Sequence, residues 1–191
     1  MLYIYVVWSR YVATTRRHPT TNATDADRAI GIALSDVGTF KFNASAELPL
    51  VAKGTHDHQL YAQQTFKWHQ LYMGIVMVYD YTDRVHNRVH CRLAYSKAPS
   101  PLSGWEWVDE GGLTGRDFIP LGSSGPAGSA ENAFDSHLCY ASPPVHTPQG
   151  ERLYYMGSNG KHSGSNPPRN ASLGNTFKTQ LSVSHLICFN V

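Results

Sequence analysis

The chain has 191 residues, of which 41% are hydrophobic, 12% aromatic and 16% charged, with a formal charge of +2. That composition is ordinary for a globular protein, is long enough for one sizeable core, and excludes a disordered chain. The small charge is scattered rather than striped, which argues against nucleic acid as a partner, and no run reaches the roughly 18 apolar residues of a membrane span.

Taken in order, the chain opens on LYIYVVW, residues 2–8, an apolar run of buried-strand type, too short and without the basic lead-in of a signal peptide. Residues 11–27 are polar and read as a strand end followed by a loop; residues 28–35 read as a strand, closed by the turn signal Asp36-Val37-Gly38. The stretch 54–96 then holds three aromatic-rich runs, 59–68, 71–79 and 89–95, separated by short polar breaks that read as turns between antiparallel strands. Asp57 stands just before the first run and Asp80 just after the second, so carboxylates mark strand ends, where functional side chains gather.

GWEWVDEGG, residues 104–112, alternates so that Trp105 and Trp107 share a face, and residues 122–132 are a loop by composition. FDSHLCYASPPV, from Phe134, repeats the carboxylate-before-strand pattern with Asp135 ahead of an expected inner strand over 138–145. LYYMGSNG follows as the next strand, KHSGSNPPRN as a loop, and ASLGN, residues 171–175, as a weak strand. Residues 178–191 share neither the turn chemistry nor the spacing of what precedes them and read as an atypical tail.

The segments repeat. Leu2-Tyr3, Leu71-Tyr72 and Leu153-Tyr154 open equivalent runs at offsets of 69 and 82 residues, and IGIALSD over 30–36 parallels CRLAYSK over 91–97. Self-similarity of one all-β unit implies blades or an array. The expectation is an all-β fold in one domain over 1–191: β-propeller blades of antiparallel strands at roughly 1–53 (incomplete, without a first strand), 54–122 and 134–177 (incomplete). Between two and three units do not close a ring of about 4–8 blades, so the chain reads as a fragment with open sheet edges.

As a set, DHQLYAQQTF with LYMGIVMVYD, VHCRLAYSKAP with GWEWVDEGG, DFIPLG, and FDSHLCYASPPV with ERLYYMGSNGKH resemble the five-bladed β-propeller glycoside hydrolases, proteins similar to glycosyl hydrolase families 32 and 43. The resemblance covers Asp27 to Gly174. It implies a partial five-bladed propeller, a carbohydrate substrate, no cofactor, and carboxylates from the inner strands of different blades converging on a sugar. Glycoside hydrolysis places two carboxyl groups across one bond, about 5–5.5 Å apart for retention or about 6.5–9.5 Å for inversion. Asp57 and Asp135, at corresponding places before successive inner strands, are the first candidates; Asp80 is the third, and Glu131 and Asp117 rank lower. Tyr61, Trp68, Tyr140 and His162, with Trp105, are the candidate sugar-contacting surface. The sequence departs from the family pattern at YASPPV, where Ala141 and Ser142 stand in place of a glutamate.

Each acid has a plainer role open to it, since Asp at a strand entrance commonly caps a turn through nearby backbone N–H groups. His56, His58, His86, His90 and His137, with Cys91 and Cys139, include close pairs, but no spacing matches a closed zinc site, and no metal is expected. No GxSxG elbow occurs. Cys91, Cys139 and Cys188 are an odd count that suggests no disulfide framework and reads as buried small hydrophobes. Sequons at Asn22, Asn43 and Asn170 matter only in a secreted chain. Two functions stay open: a glycosidase using paired carboxylates, and a non-catalytic sugar-binding or scaffolding propeller.

Overall fold

The computed structural model describes residues 2–7, 10–17, 28–36, 54–97, 104–125, 132–148, 150–162 and 180–185. Within them the chain is almost wholly β-structure, with a single 3-10 turn at Gly112–Thr114. Strands β1 (Leu2–Val7), β2 (Arg10–Arg17) and β3 (Ala29–Asp36) form an antiparallel sheet in the order β1-β2-β3. A second sheet begins with β4 (His58–Trp68), β5 (Leu71–Asp80), β6 (Val89–Ser96) and the short β7 (Trp105–Trp107), each antiparallel to its predecessor. It continues through β8 (Leu138–Ala141), β9 (Val145–Thr147), β10 (Gly150–Ser158) and β11 (Gln180–His185), in the order β11-β10-β8-β6-β5-β4 with β9 paired to β10.

The central meander matches the sequence reading closely, because its runs are apolar and its turns carry turn chemistry. His69, at a φ of 52°, turns β4 into β5. The 81–88 connection is built on side-chain acceptors: Asp80 Oδ1 takes the amides of Thr82 and Asp83 and the Thr82 hydroxyl, Asp83 Oδ1 takes the His86 amide, and Asn87 closes it at a φ of 54°. Ile75, Val76, Met77 and Val78 are all fully buried in succession, so β5 is covered on both faces. One face, with Ile75, Met77, Val89 and Cys91, packs on Cys139, Ala141, Leu153 and Tyr155 of the following unit. The other, with Leu60, Val76, Val78 and Ala94, packs on Ile30 of β3 and on Trp105, Trp107 and Leu113. Each fully buried Val, Leu, Ile or Met among them contributes roughly 1.5–3 kcal/mol of burial free energy.

Three segments differ from the sequence reading. Arg10–Arg17, read as a strand end and loop, is a full strand between β1 and β3; RYVATTRR is polar, but its β-branched residues suit a pleated sheet. β1, β2 and β3 thus form a three-stranded antiparallel meander. The strand expected over 138–145 is split, because Pro143 and Pro144 cannot donate ladder hydrogen bonds, so β8 and β9 pair with β10 on either side of the break. From the region read as an atypical tail, Gln180–His185 pairs antiparallel with β10 over six residues. Residues 171–175, Glu131 and Cys188 lie outside the described residues.

Candidate functional site

One line of cross-strand partners aligns the ends of four strands: Gln59 of β4 faces Tyr79 of β5, Tyr79 faces Val89 of β6, and Val89 meets Leu138 of β8 in a parallel bridge. The Val89 amide also donates to the His137 carbonyl at 2.9 Å. The start of β4, the end of β5 and the starts of β6 and β8 therefore lie at one end of the sheet. Between Leu60 and Ala62 the β4 register slips, leaving Tyr61 as an extra residue, and such bulges re-aim the side chain they carry.

Tyr61 turns its ring edge-on to Tyr79, with centroids 5.3 Å apart, and to His162 at 4.5 Å. His162 also lies 5.0 Å from Tyr79, and its Nδ1 is hydrogen-bonded to the Tyr140 hydroxyl at 3.1 Å. The Arg28 guanidinium sits 4.7 Å from the Tyr61 ring centroid. The result is a half-buried aromatic basket with polar rims, the surface chemistry that a sugar ring, apolar on its C–H face and polar at its edge, can use. Burial, with Tyr81 and Asp80 nearby, pushes the Tyr79 phenol above its ordinary pKa against the pull of Arg28 and Arg84. It stays a donor, giving its proton to Asn87 Oδ1 at 2.5 Å.

The three candidate acids occupy different surroundings. Asp57 is exposed in the bend before β4, and its carbonyl accepts the Tyr81 amide at 2.7 Å; Tyr81 in turn lies 6.0 Å from Tyr79. Asp57 thus lies at the same end of the sheet as the basket, where the chain enters β4. Asp80 spends its Oδ1 on the turn that it closes. Burial raises its pKa, but the Thr82 hydroxyl and amide, the Asp83 amide and His58 outweigh burial and hold the carboxyl below its ordinary value. Asp135 is buried, 7% exposed, and accepts a 2.8 Å hydrogen bond from the Tyr155 hydroxyl. Glycine is required around it: a methyl group on Gly157 would stand 2.5 Å from Asp135 Cβ, and one on Gly122 2.5 Å from its Oδ1.

Of the residues proposed for sugar contact, Tyr61, Tyr140 and His162 meet in the basket. Trp68 does not: it lies at the opposite end of β4, seven residues or roughly 23 Å along the strand from Tyr61, packed edge-on to His69. Trp105 packs with the core cluster that holds Ile30 and Val76. Tyr79, Tyr81 and Arg28 were not singled out from sequence; only the tyrosines crowding the ends of two paired runs hinted at them. The lower-ranked Asp117 binds His90 Nδ1 at 3.0 Å and Arg92 Nη2 at 3.4 Å, an ion-pair role.

Beside Asp135, His137 is fully buried, with Nδ1 2.8 Å from Ser136 Oγ and Nε2 without a partner among the described residues. Burial first, then the positive neighbours His86 and Arg88, lower its pKa to about 4, so the ring is neutral near pH 7. Among the described residues no group of three or more His, Cys, Asp or Glu side chains could hold a metal ion, and no helix is long and apolar enough to cross a membrane.

No family model and no curated protein matches the sequence. Among solved structures, the chain is similar to the catalytic domain of a Coprinopsis cinerea GH62 alpha-L-arabinofuranosidase, with a TM-score of 0.51, 11% identity and a match over 95% of this chain and 52% of that one. The chain spans about half the length of that domain. At this identity the likeness concerns the fold alone, and the all-β architecture of this chain is similar to that of a glycoside hydrolase catalytic domain.

Proposed function

We propose that the protein is glycoside hydrolase-like and acts on a glycosidic bond of a carbohydrate, with its meanders stacked as blades of a propeller of the five-bladed kind. The convergence of Tyr61, Tyr79, Tyr140 and His162 beside the Asp57 bend carries this reading; the fold shared with a glycoside hydrolase domain supports it. In this reading the basket stacks on a sugar ring. Asp57, open to solvent, is the carboxylate that meets the anomeric carbon or its attacking water. Asp135, anchored by Tyr155, supplies the second carboxyl, and Asp80 shapes the rim through its turn.

The burial of Asp135 and the turn-capping of Asp80 favour the second reading, a non-catalytic sugar-binding or scaffolding propeller. Asp57→Asn, Asp135→Asn and Tyr61→Ala, assayed on a panel of aryl glycosides and by calorimetric titration with oligosaccharides, separate the two. A glycosidase loses turnover in both amide variants while their folds survive, because Asn keeps the size but cannot exchange the proton. Sugar binding that depends on Tyr61, without turnover in the parent, selects the binding module. Neither turnover nor binding in the parent removes carbohydrate from the account.

A further inference from the structure

We propose that Cys91 and Cys139 are joined by a disulfide that locks the central meander to the unit following it. Cys91 lies on β6 and Cys139 on β8, the two strands joined at the Val89–Leu138 bridge, and both side chains are fully buried. Cys91 lies two residues past that bridge on β6 and Cys139 one residue past it on β8, and the Cys91 thiol also reaches the Cys139 carbonyl at 3.3 Å. The two Sγ atoms are 2.7 Å apart. Non-bonded heavy atoms settle at about 3.5–4.0 Å even when they are carbon, and a covalent S–S bond is about 2.05 Å. The fold thus holds the two sulfurs within reach of a covalent bond, which a small side-chain adjustment closes.

The oxidation balances by exchange with a low-molecular-weight or protein disulfide. One cysteine thiolate attacks a sulfur of that disulfide, releasing one thiol and leaving a mixed disulfide; the second thiolate then attacks the protein sulfur and releases the other. Two protein thiols lose two protons and two electrons, and the partner disulfide is reduced to two thiols. Exchange requires thiolate, and in the closed core the hydrogen bond between the two thiols, together with burial, pushes the Cys139 pKa far up. The bond therefore forms while the chain is still open. The odd cysteine count resolves into one pair and Cys188.

The test uses the full chain, refolded in mixed oxidised and reduced glutathione, then unfolded and alkylated without reductant. Tryptic digestion should give residues 89–92 disulfide-linked to residues 117–152, a species that disappears on reduction, with Cys188 alkylated from the start. Cys91→Ala should expose Cys139 to alkylation in denaturant, and reduction should lower the thermal midpoint of the parent but not of this variant. Stoichiometric alkylation of all three cysteines in the non-reduced parent, or a linkage through Cys188, overturns the proposal.

Discussion

The Tyr155 hydroxyl offers a quantitative test of how Asp135 is held. Tyr155 is 7% exposed, its ring packs in the larger core cluster and 5.9 Å from Phe134, and its hydroxyl donates to Asp135 Oδ2 at 2.8 Å. Tyr155→Phe deletes one oxygen, preserves the packing volume, and strands one oxygen of a buried carboxyl. A hydrogen bond to a charged group contributes roughly 1.5–3 kcal/mol, and at this chain length each kcal/mol moves the thermal midpoint by roughly 2–4 °C. The variant should therefore lose about 1.5–3 kcal/mol in urea unfolding, seen as a lower midpoint at an unchanged m-value, and its thermal midpoint should fall by roughly 3–12 °C. Asp135→Asn, which keeps an acceptor for the hydroxyl, should couple with Tyr155→Phe in a double-mutant cycle. A loss below about 0.5 kcal/mol, the range of surface changes, or strict additivity with Asp135→Asn, would refute the view that this carboxylate is a buried group fixed by Tyr155.

His137 sets a pH dependence: with a folded pKa of about 4 against about 6.5 unfolded, the unfolded chain takes up the proton first, so stability is full above pH 6.5 and falls by about 1.4 kcal/mol per unit on acidification toward 4. Asp80, held low, contributes stability that is lost as pH falls from its unfolded value of 3.8 through its lower folded one, below the range probed for the histidine; a flat urea midpoint between pH 6.5 and 4.5, or the same slope in His137→Gln, contradicts the assignment. Gly157→Ala brings a methyl group against Asp135 Cα and Cβ and should cost roughly 1–3 kcal/mol of stability by overpacking, measured by denaturant midpoint. Asp80→Asn should leave turnover or sugar binding near the parent value while Asp80→Ala destabilises the fold by about 1 kcal/mol, because the structure gives Asp80 a turn to cap; loss of activity in a stably folded Asp80→Asn variant would put its charge in the mechanism instead.

The contrast between what the sequence showed and what it hid follows from the range of the forces involved. The strands β4, β5 and β6 were legible to within a residue because β5, buried on both faces, is a near-continuous apolar run, because β4 and β6 carry the aromatic and apolar residues of strands, and because Asp80, Asp83 and Asn87 write the β5–β6 turn locally. Arg10–Arg17 was not, since a polar strand paired on both sides owes its conformation to its partners rather than to its own pattern. The basket was legible in its parts and not in its assembly. Tyr61, Tyr140 and His162 were singled out, but what unites them is a cross-strand line running from Gln59 to Leu138 and a one-residue register slip, neither of which has a local signature. Trp68, an equally attractive aromatic on the same strand, takes no part because it lies at the other end of that strand. A bulge at Tyr61 re-aims one side chain only, and the regular pleat from Ala62 onward carries Trp68 to the far hairpin end, where it packs against His69. Position along a strand therefore decides the partition of aromatics between basket and scaffold here, and aromatic character by itself does not.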